Sequence, residues 1–417
     1  MAEAFRLFVG IDWATQKHQV CVINHERDLV AEREVEQSGA GLAQFLDWLS
    51  GLAHSEPDSV AVAIEIPRGA VVESLCERGF QVYSINPKQL DRFRDRHTVA
   101  GAKDDRRDAF VLADSLRTDR HLFKHVRVDD PVIIRIRELS RLHDDLRQDL
   151  NRVLNQFREQ LQRYYPPLLQ LSPSADEPWL WDLFEAAPLP KDGAKLTPHR
   201  IERILKQNRI RRYTADQVRD ALRTQPLPLA RGAPEAAAEH ALILLPRLRM
   251  IHQQRSVVAH RIQEVLDQMT TPSASESETG KHRDVALLLS LPGVGRVIAA
   301  TMLAEASQPL AERDYHALRA YGGTAPITKQ SGKKRFVVMR QACSGRVRHA
   351  LYHWARVSSQ LDPRSKEQYQ RLRKADHSHG RALRGLADRL LAVLVAILNT
   401  GVPYDPAVRN PPPPQPA

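Results

Sequence analysis

Four acidic residues stand where they could act together on a phosphate ester. Asp12 closes the apolar run at 7–11, and Glu65 follows the apolar run at 60–64. Asp105 and Asp108 stand three residues apart in the helical segment DRRDAFVLADSLR, hence on one face of a helix. Carboxylates brought to one place repel one another unless cations lie between them. Hard oxygen donors of this kind suit Mg²⁺, and two such ions clamp the attacking and leaving oxygens of an in-line phosphoryl displacement. Taken singly, each acid has an ordinary reading: Asp12 as a turn residue, Asp105 as a favourable charge at a helix N-terminus. Glu65 resists that treatment, because a continuous apolar run precedes it. Asp104 beside Asp105 leaves the register open by one residue.

A second constellation lies near the C-terminus. Ser331 stands beside Gly332 and is followed by Lys333, Lys334 and Arg335. A hydroxyl next to glycine is sterically open, and the neighbouring cations suit a phosphate; with a base or metal to activate it, such a hydroxyl becomes a nucleophile. On spacing alone, a phosphate-binding surface turn is the simpler reading. Arg346 and Arg348 extend the positive face, and Ser344 is a competing serine. Another basic cluster, from His199 to Arg212 and including Arg209 and Arg211, fits either contact with nucleic-acid phosphates or a solvated helix face.

The elements that must position these groups can be read from periodicity. Short apolar or alternating runs at 7–11, 18–24, 29–36, 60–64 and 81–85 predict strands, and helical spacing appears at 41–52 and 70–78. The resulting order β-β-β-α-β-α-β-α is the layout of an RNase H-like α/β domain, in which the first and fourth strands are parallel neighbours. Two long amphipathic stripes follow, Leu139 to Leu161 and Leu248 to Met269, the second interrupted by Arg255. They predict a helical hairpin or coiled coil, paired either within one chain or between chains. A proline-rich segment at about 168–240 reads as a small inserted helical module. Residues 270–281 read as a linker, and a mostly helical unit at about 283–405 opens on Pro292-Gly293-Val294-Gly295, a turn of the helix-hairpin-helix kind whose glycines would admit a phosphate. The expected divisions are therefore 5–120, 130–270 and 283–405, with a disordered tail at 406–417.

At 417 residues and a formal charge of +11, with a pI of about 9.7, the chain is multidomain and suited to a polyanionic partner. Its three cysteines, Cys21, Cys76 and Cys343, lie far apart; this argues against a disulfide framework or zinc cluster and fits a reducing, cytoplasmic compartment. No apolar run is long enough for a membrane span, and no signal-peptide pattern opens the sequence.

Taken together, Gly10-Ile11-Asp12, Ile64-Glu65, Lys103-x-Asp105-x-x-Asp108-Ala109, the Pro292–Gly295 turn, and Pro326 with Ser331-Gly332 five residues later resemble the DEDD insertion-sequence transposases, also called bridge-RNA-guided serine recombinases. The likeness covers roughly 5–115 and 285–405. It implies a RuvC-like domain, a coiled-coil region and a C-terminal transposase domain. It also implies that Asp12, Glu65, Asp105 and Asp108 bind Mg²⁺ and that Ser331 attacks DNA to form a transient phosphoserine link. By the same likeness, dimers assemble into a tetramer in which one protomer's acids face another's serine. A structured non-coding RNA would select donor and target DNA, and the protein would hold its shape and backbone. Three features depart from the pattern: Glu65-Ile66-Pro67-Arg68-Gly69 is lengthened and lacks a hydroxyl, Thr324 stands where leucine is usual, and the insertion at about 168–240 is longer than in compact members. Two other readings compete, a junction-resolving metal nuclease using the acids alone and a non-catalytic nucleic-acid-binding scaffold. An actin-like ATPase is disfavoured, because Trp13-Ala14-Thr15 replaces a glycine-rich phosphate turn.

Overall fold

Apolar runs too short for helices, punctuated by turn residues, assemble into a six-stranded mixed sheet ordered β3-β2-β1-β4-β5-β6. The computed structural model of the chain describes residues 5–97, 104–126, 130–270, 284–332 and 334–406. The expected linker beyond Thr270 and nearly all of the expected tail lie outside these residues. The chain divides into two units, Met1–Asp130 and Pro131–Ala417.

In the first unit, β1 (Leu7–Asp12), β2 (Lys17–Asn24) and β3 (Leu29–Glu36) form an antiparallel meander. β4 (Val60–Ile64) and β5 (Gln81–Ser84) continue the sheet parallel to β1. All five residues of β4 are buried, as a central strand covered on both faces requires. β3 instead carries Glu32, Arg33, Glu34 and Glu36, charges suited to an edge. The two faces hold separate cores. Leu7, Val9 and Ile11 pack with α1 (Gly39–Leu52) and α2 (Ala70–Glu77); Phe8, Ala61 and Ala63 pack with α3 (Pro87–His97) and α4 (Asp105–Asp119). This mixed sheet is consistent with the RNase H-like layout expected from the element order. β6 (Lys124–His125), antiparallel to β5, has no counterpart in the sequence reading, because two residues show no period.

The second unit is built on α5 (Pro131–Tyr164) and α11 (Ala233–Thr270), which pack on each other within the chain. Between them lie α6 (Pro167–Leu171), α7 (Pro178–Ala186), α8 (Pro190–Gly193), α9 (Pro198–Gln207) and α10 (Ala215–Leu222). The proline richness of this stretch marks helix starts: α6 to α9 each carry proline in the first turn, where its missing N–H costs nothing. Leu150, Val153, Phe157 and Leu161 of α5 and Leu244 and Leu248 of α11 close one core around Trp179 and Trp181. Ile133 and Ile136, with Val258, Ile262 and Val265, close another with the C-terminal helices. Those are α12 (284–290), α13 (Arg296–Glu305), α14 (Ser307–Ala311), α15 (Tyr315–Tyr321), α16 (Gly345–Leu361), α17 (Pro363–Lys374) and α18 (His379–Thr400), with the hairpin β7 (Ile327–Ser331) and β8 (Lys334–Val338) between α15 and α16.

The structure gives one glycine of the expected Pro292–Gly295 turn a packing role. Gly293 has φ +79°, and a Cβ there would lie 2.6 Å from Ser358 Oγ and 2.8 Å from Ser358 N. The Pro292 carbonyl accepts hydrogen bonds from Trp354 Nε1 at 3.0 Å and Ser358 Oγ at 2.7 Å. The close approach at Gly293 is thus to helix α16, while Gly295 faces open space.

Candidate active site

The first two acids sit where adjacent parallel strands end. Ile11 of β1 is in register with Ile64 of β4, so Asp12 and Glu65 are the next residues along neighbouring strands. Side chains alternate between faces. Phe8 and Gly10 face α4, as do Ala61 and Ala63, and the same alternation assigns Asp12 and Glu65 to that side.

The other two acids are placed by Gly10. A Cβ on Gly10 would lie 1.9 Å from the Ala109 carbonyl oxygen and 2.7 Å from Ala113 N, so α4 rests directly on the β1 backbone. The direction of α4 follows from its far end. Arg117 donates to the His25 carbonyl at 3.3 Å, and Arg27 pairs with Asp114 at 3.2 Å, tying the end of α4 to the turn that opens opposite the start of β1. Helix and strand therefore run antiparallel. Asp105, one helical turn (about 5.4 Å) before Ala109, lies toward the same sheet edge as Asp12, two strand residues (about 6.6 Å) beyond Gly10. Asp104 takes the N-cap, its Oδ1 accepting from Arg106 N at 3.1 Å, which gives it a structural task distinct from that of Asp105.

The backbone brings these residues to one edge, but the side chains are not gathered into a cage. Among the described residues no three His, Cys, Asp or Glu side chains are grouped so as to hold a metal ion. Asp108 has a competing partner. It is buried, and Arg94 of α3 donates to both its oxygens, Nε to Oδ1 at 2.8 Å and Nη2 to Oδ2 at 2.9 Å, while also bonding Asp91. A guanidinium already neutralises the carboxylate that a cation would otherwise attract. The donor chemistry suits Mg²⁺, and Asp108 would have to exchange Arg94 for it. Arg94 escapes a search for metal ligands because it is a cation; its only sequence signal is the acid three residues before it.

His18 is a further positioning residue that sequence reasoning missed. Buried on β2, its Nδ1 accepts from Ala14 N at 3.3 Å, so Nε2 carries the proton and donates to Gln37 Oε1 at 2.5 Å. This fixes the loop that follows Asp12.

In the second unit, Ser331 ends β7 opposite Lys334, and Gly332 turns the hairpin with φ +57°. Ser331, Lys334 and Arg335 are exposed; Lys333 lies outside the described residues. The base of the hairpin is tied down by Asp388 of α18, which accepts from Arg319 at 2.9 Å through both oxygens and from Thr324 Oγ1 at 2.9 Å. That hydrogen bond accounts for a hydroxyl residue at 324. The competing Ser344 is occupied as the N-cap of α16, accepting from Val347 N at 3.3 Å.

The basic residues divide by what they touch. Arg346 is held by α5, pairing with Asp145 at 3.0 Å and lying 3.8 Å from Asp144, and Arg212 pairs with Glu177 and lies over Trp179 and Tyr213. Both have structural work that the sequence could not show. Arg209 and Arg211 are exposed. Arg348 lines a cavity of about 330 Å³ together with Gly322, Thr324 and Arg384.

Comparison with known proteins gives concordant matches at both ends. A family model described as transposase matches residues 9–166, and one described as transposase of the IS116/IS110/IS902 family matches residues 285–370. The chain is 31% identical over 411 residues to the candidate transposase of the IS117 mini-circle of Streptomyces coelicolor, spanning 97% of this chain and 96% of that one. It is 46% identical over 216 residues to the candidate transposase y4uE of Sinorhizobium fredii, a match covering 52% of this chain and 60% of y4uE. The 42 kDa protein of insertion element IS900 of Mycobacterium paratuberculosis is 25% identical over 410 residues, 96% and 98% of the two chains.

Proposed function

Because this chain belongs to the IS116/IS110/IS902 family of transposases, we propose that it cuts and rejoins DNA through Ser331, assisted by Mg²⁺ held by Asp12, Glu65, Asp105 and Asp108. The observation that carries the reading is the antiparallel seating of α4 on Gly10, which puts the first turn of α4 toward the edge where β1 ends in Asp12 and Glu65 follows β4. The exposure of Ser331 on a glycine turn, while Ser344 is spent on a cap, supports the choice of serine.

In this mechanism Ser331 Oγ forms a bond to a DNA phosphorus and one ester oxygen leaves as a free hydroxyl end. The serine proton passes to a base, and the reverse displacement by another strand's hydroxyl regenerates the serine. Mg²⁺, when bound, supplies charge stabilisation for the attacking and leaving oxygens. Lys333, Lys334 and Arg335 would hold the phosphate beside the hydroxyl, with Arg348, Arg209 and Arg211 meeting the backbone further out. The reading extends to a structured guide RNA, to a tetramer built from dimers, and to action in the cytoplasm.

The test is to incubate the full chain and Mg²⁺, with and without the transcript flanking the gene, with duplex carrying the ends of its element, then denature and map any DNA-bearing peptide. A phosphoserine link at residue 331 is expected. Cleavage without a covalent species would favour the junction-resolving nuclease, and binding without cleavage under any condition would favour the scaffold.

A further inference from the structure

Helices α17 and α18 pack on each other, and between them lies a cavity of about 240 Å³ whose lining includes Ser365, Leu386 and Leu390. Arg364 lines it. Its two terminal nitrogens, Nη1 and Nη2, are each buried below 1 Å² of exposure and have no hydrogen-bond partner among the described residues. Guanidinium nitrogens withdrawn from water without an acceptor are costly, and native proteins rarely leave them so; for a cation the strongest partner is an anion. Two more guanidinium groups line the same cavity. Arg371 lies seven residues, about two turns, further along the same face of α17, and Arg389 comes from α18; the one carboxylate present is Glu367.

Arginines converging from two helices, with a single acid among them, suit a tetrahedral oxyanion with several acceptor oxygens, because the planar fork of each guanidinium bonds two of them at once. We propose that this cavity receives one backbone phosphate of bound DNA, held by Arg371 and Arg389, which line it, and by Arg364, whose unpartnered terminal nitrogens turn from their buried position into the cavity when the phosphate arrives. The inference rests on the chain's acting on DNA and not on the roles given to Ser331 or the four acids. Such a contact carries no sequence information; it fixes where the duplex lies on the C-terminal helices.

The test measures binding of a fluorescein-labelled DNA duplex to the full chain by anisotropy across a salt series, for wild type, Arg364→Met and Arg371→Gln. Methionine keeps the length of residue 364 without its charge, and residue 371 is exposed, so neither change threatens folding. Arg364→Met is expected to bind about tenfold more weakly at low salt, with a salt slope smaller by about one, and Arg371→Gln to show the same trend in lesser degree. Without DNA, the melting temperature of Arg364→Met is expected to equal or exceed that of wild type, since an unpaired buried cation has been removed. Wild-type affinity and slope in both variants would overturn the proposal. So would a loss confined to an RNA duplex of equal length, or inorganic phosphate raising the wild-type melting temperature while DNA binding stays unchanged in the variants. Failure of the wild type to bind duplex at all would remove the DNA-acting reading along with it, which separates that failure from one limited to the cavity.

Discussion

The guanidinium of Arg94 spans both oxygens of Asp108, at 2.8 and 2.9 Å, and so occupies the carboxylate that the proposed metal site needs. In Arg94→Ala the buried Asp108 loses its partner, a change that costs roughly 2–4 kcal/mol. A divalent cation should recover part of it. Thermal unfolding with Mg²⁺ or EDTA is expected to show a larger Mg²⁺-dependent rise in Arg94→Ala than in wild type. Equal responses in the two proteins would mean that Asp108 is a structural anion only.

Gly10 sets the depth at which α4 lies on the sheet. Gly10→Ala places a methyl 1.9 Å from the Ala109 carbonyl, a backbone atom that cannot give way alone. The expected outcome is a loss of about 3 kcal/mol in urea unfolding, together with loss of DNA strand exchange, since the first turn of α4 shifts away from Asp12. A variant that unfolds and reacts like wild type would contradict the seating described.

The two serines of the C-terminal unit should separate cleanly. Ser331→Ala should abolish any covalent DNA–protein species and leave the melting temperature unchanged, because the side chain is exposed. Ser344→Ala should do the reverse, costing about 1 kcal/mol through loss of the α16 cap while retaining the covalent species. The reverse pattern would move the nucleophile to residue 344.

His143 makes the helical unit sensitive to acid. Burial, with the Arg255 charge adding to it, pushes its imidazole down from 6.5 to about 4, against the opposing pull of Asp144. Arg255 Nε donates to His143 Nε2 at 3.3 Å, a bond that only the neutral ring accepts. Between pH 6.5 and 4 the unfolded chain therefore binds a proton that the folded chain does not. Stability is full above pH 6.5 and falls as pH drops toward 4, by up to about 3 kcal/mol. His349 and His353, also held down by burial, act in the same direction, so the measurement is a difference: urea unfolding of wild type and His143→Gln at pH 4.5 and 7. The variant is expected to lose less stability on acidification; an identical loss would assign the effect elsewhere.

Strand positions were legible because their signal is local. The bounds of β3 and β4 match the periodicity, and β1 differs only by including Asp12. The positions of the acids follow from strand ends and one helix face, which sequence spacing encodes. What surrounds them does not. The Arg94–Asp108 pair, the Asp388 anchor of Thr324 and the Arg346–Asp145 bridge join residues brought together only by packing, and a charge in sequence says nothing of which opposite charge it will meet. The same limit applies to Gly293, whose close approach to Ser358 of α16 no spacing reveals. Pairing of the long stripes within the chain was likewise undetermined by periodicity, which is equal for either arrangement.

Between the two apolar cores, which meet at Leu146, α5 carries two polar residues: Ser140 bonds Thr301 of α13 and His143 bonds Arg255 of α11. The two helices thus work like a keyed shaft with a matching fitting at each end. One residue inserted in α5 between His143 and Leu150 would rotate everything beyond it by about 100°, turning Val153, Phe157 and Leu161 away from the face that α11 meets. Length can change here only in matched blocks of about seven residues in both helices, so the spacing between the two ends of this unit is quantised rather than adjustable.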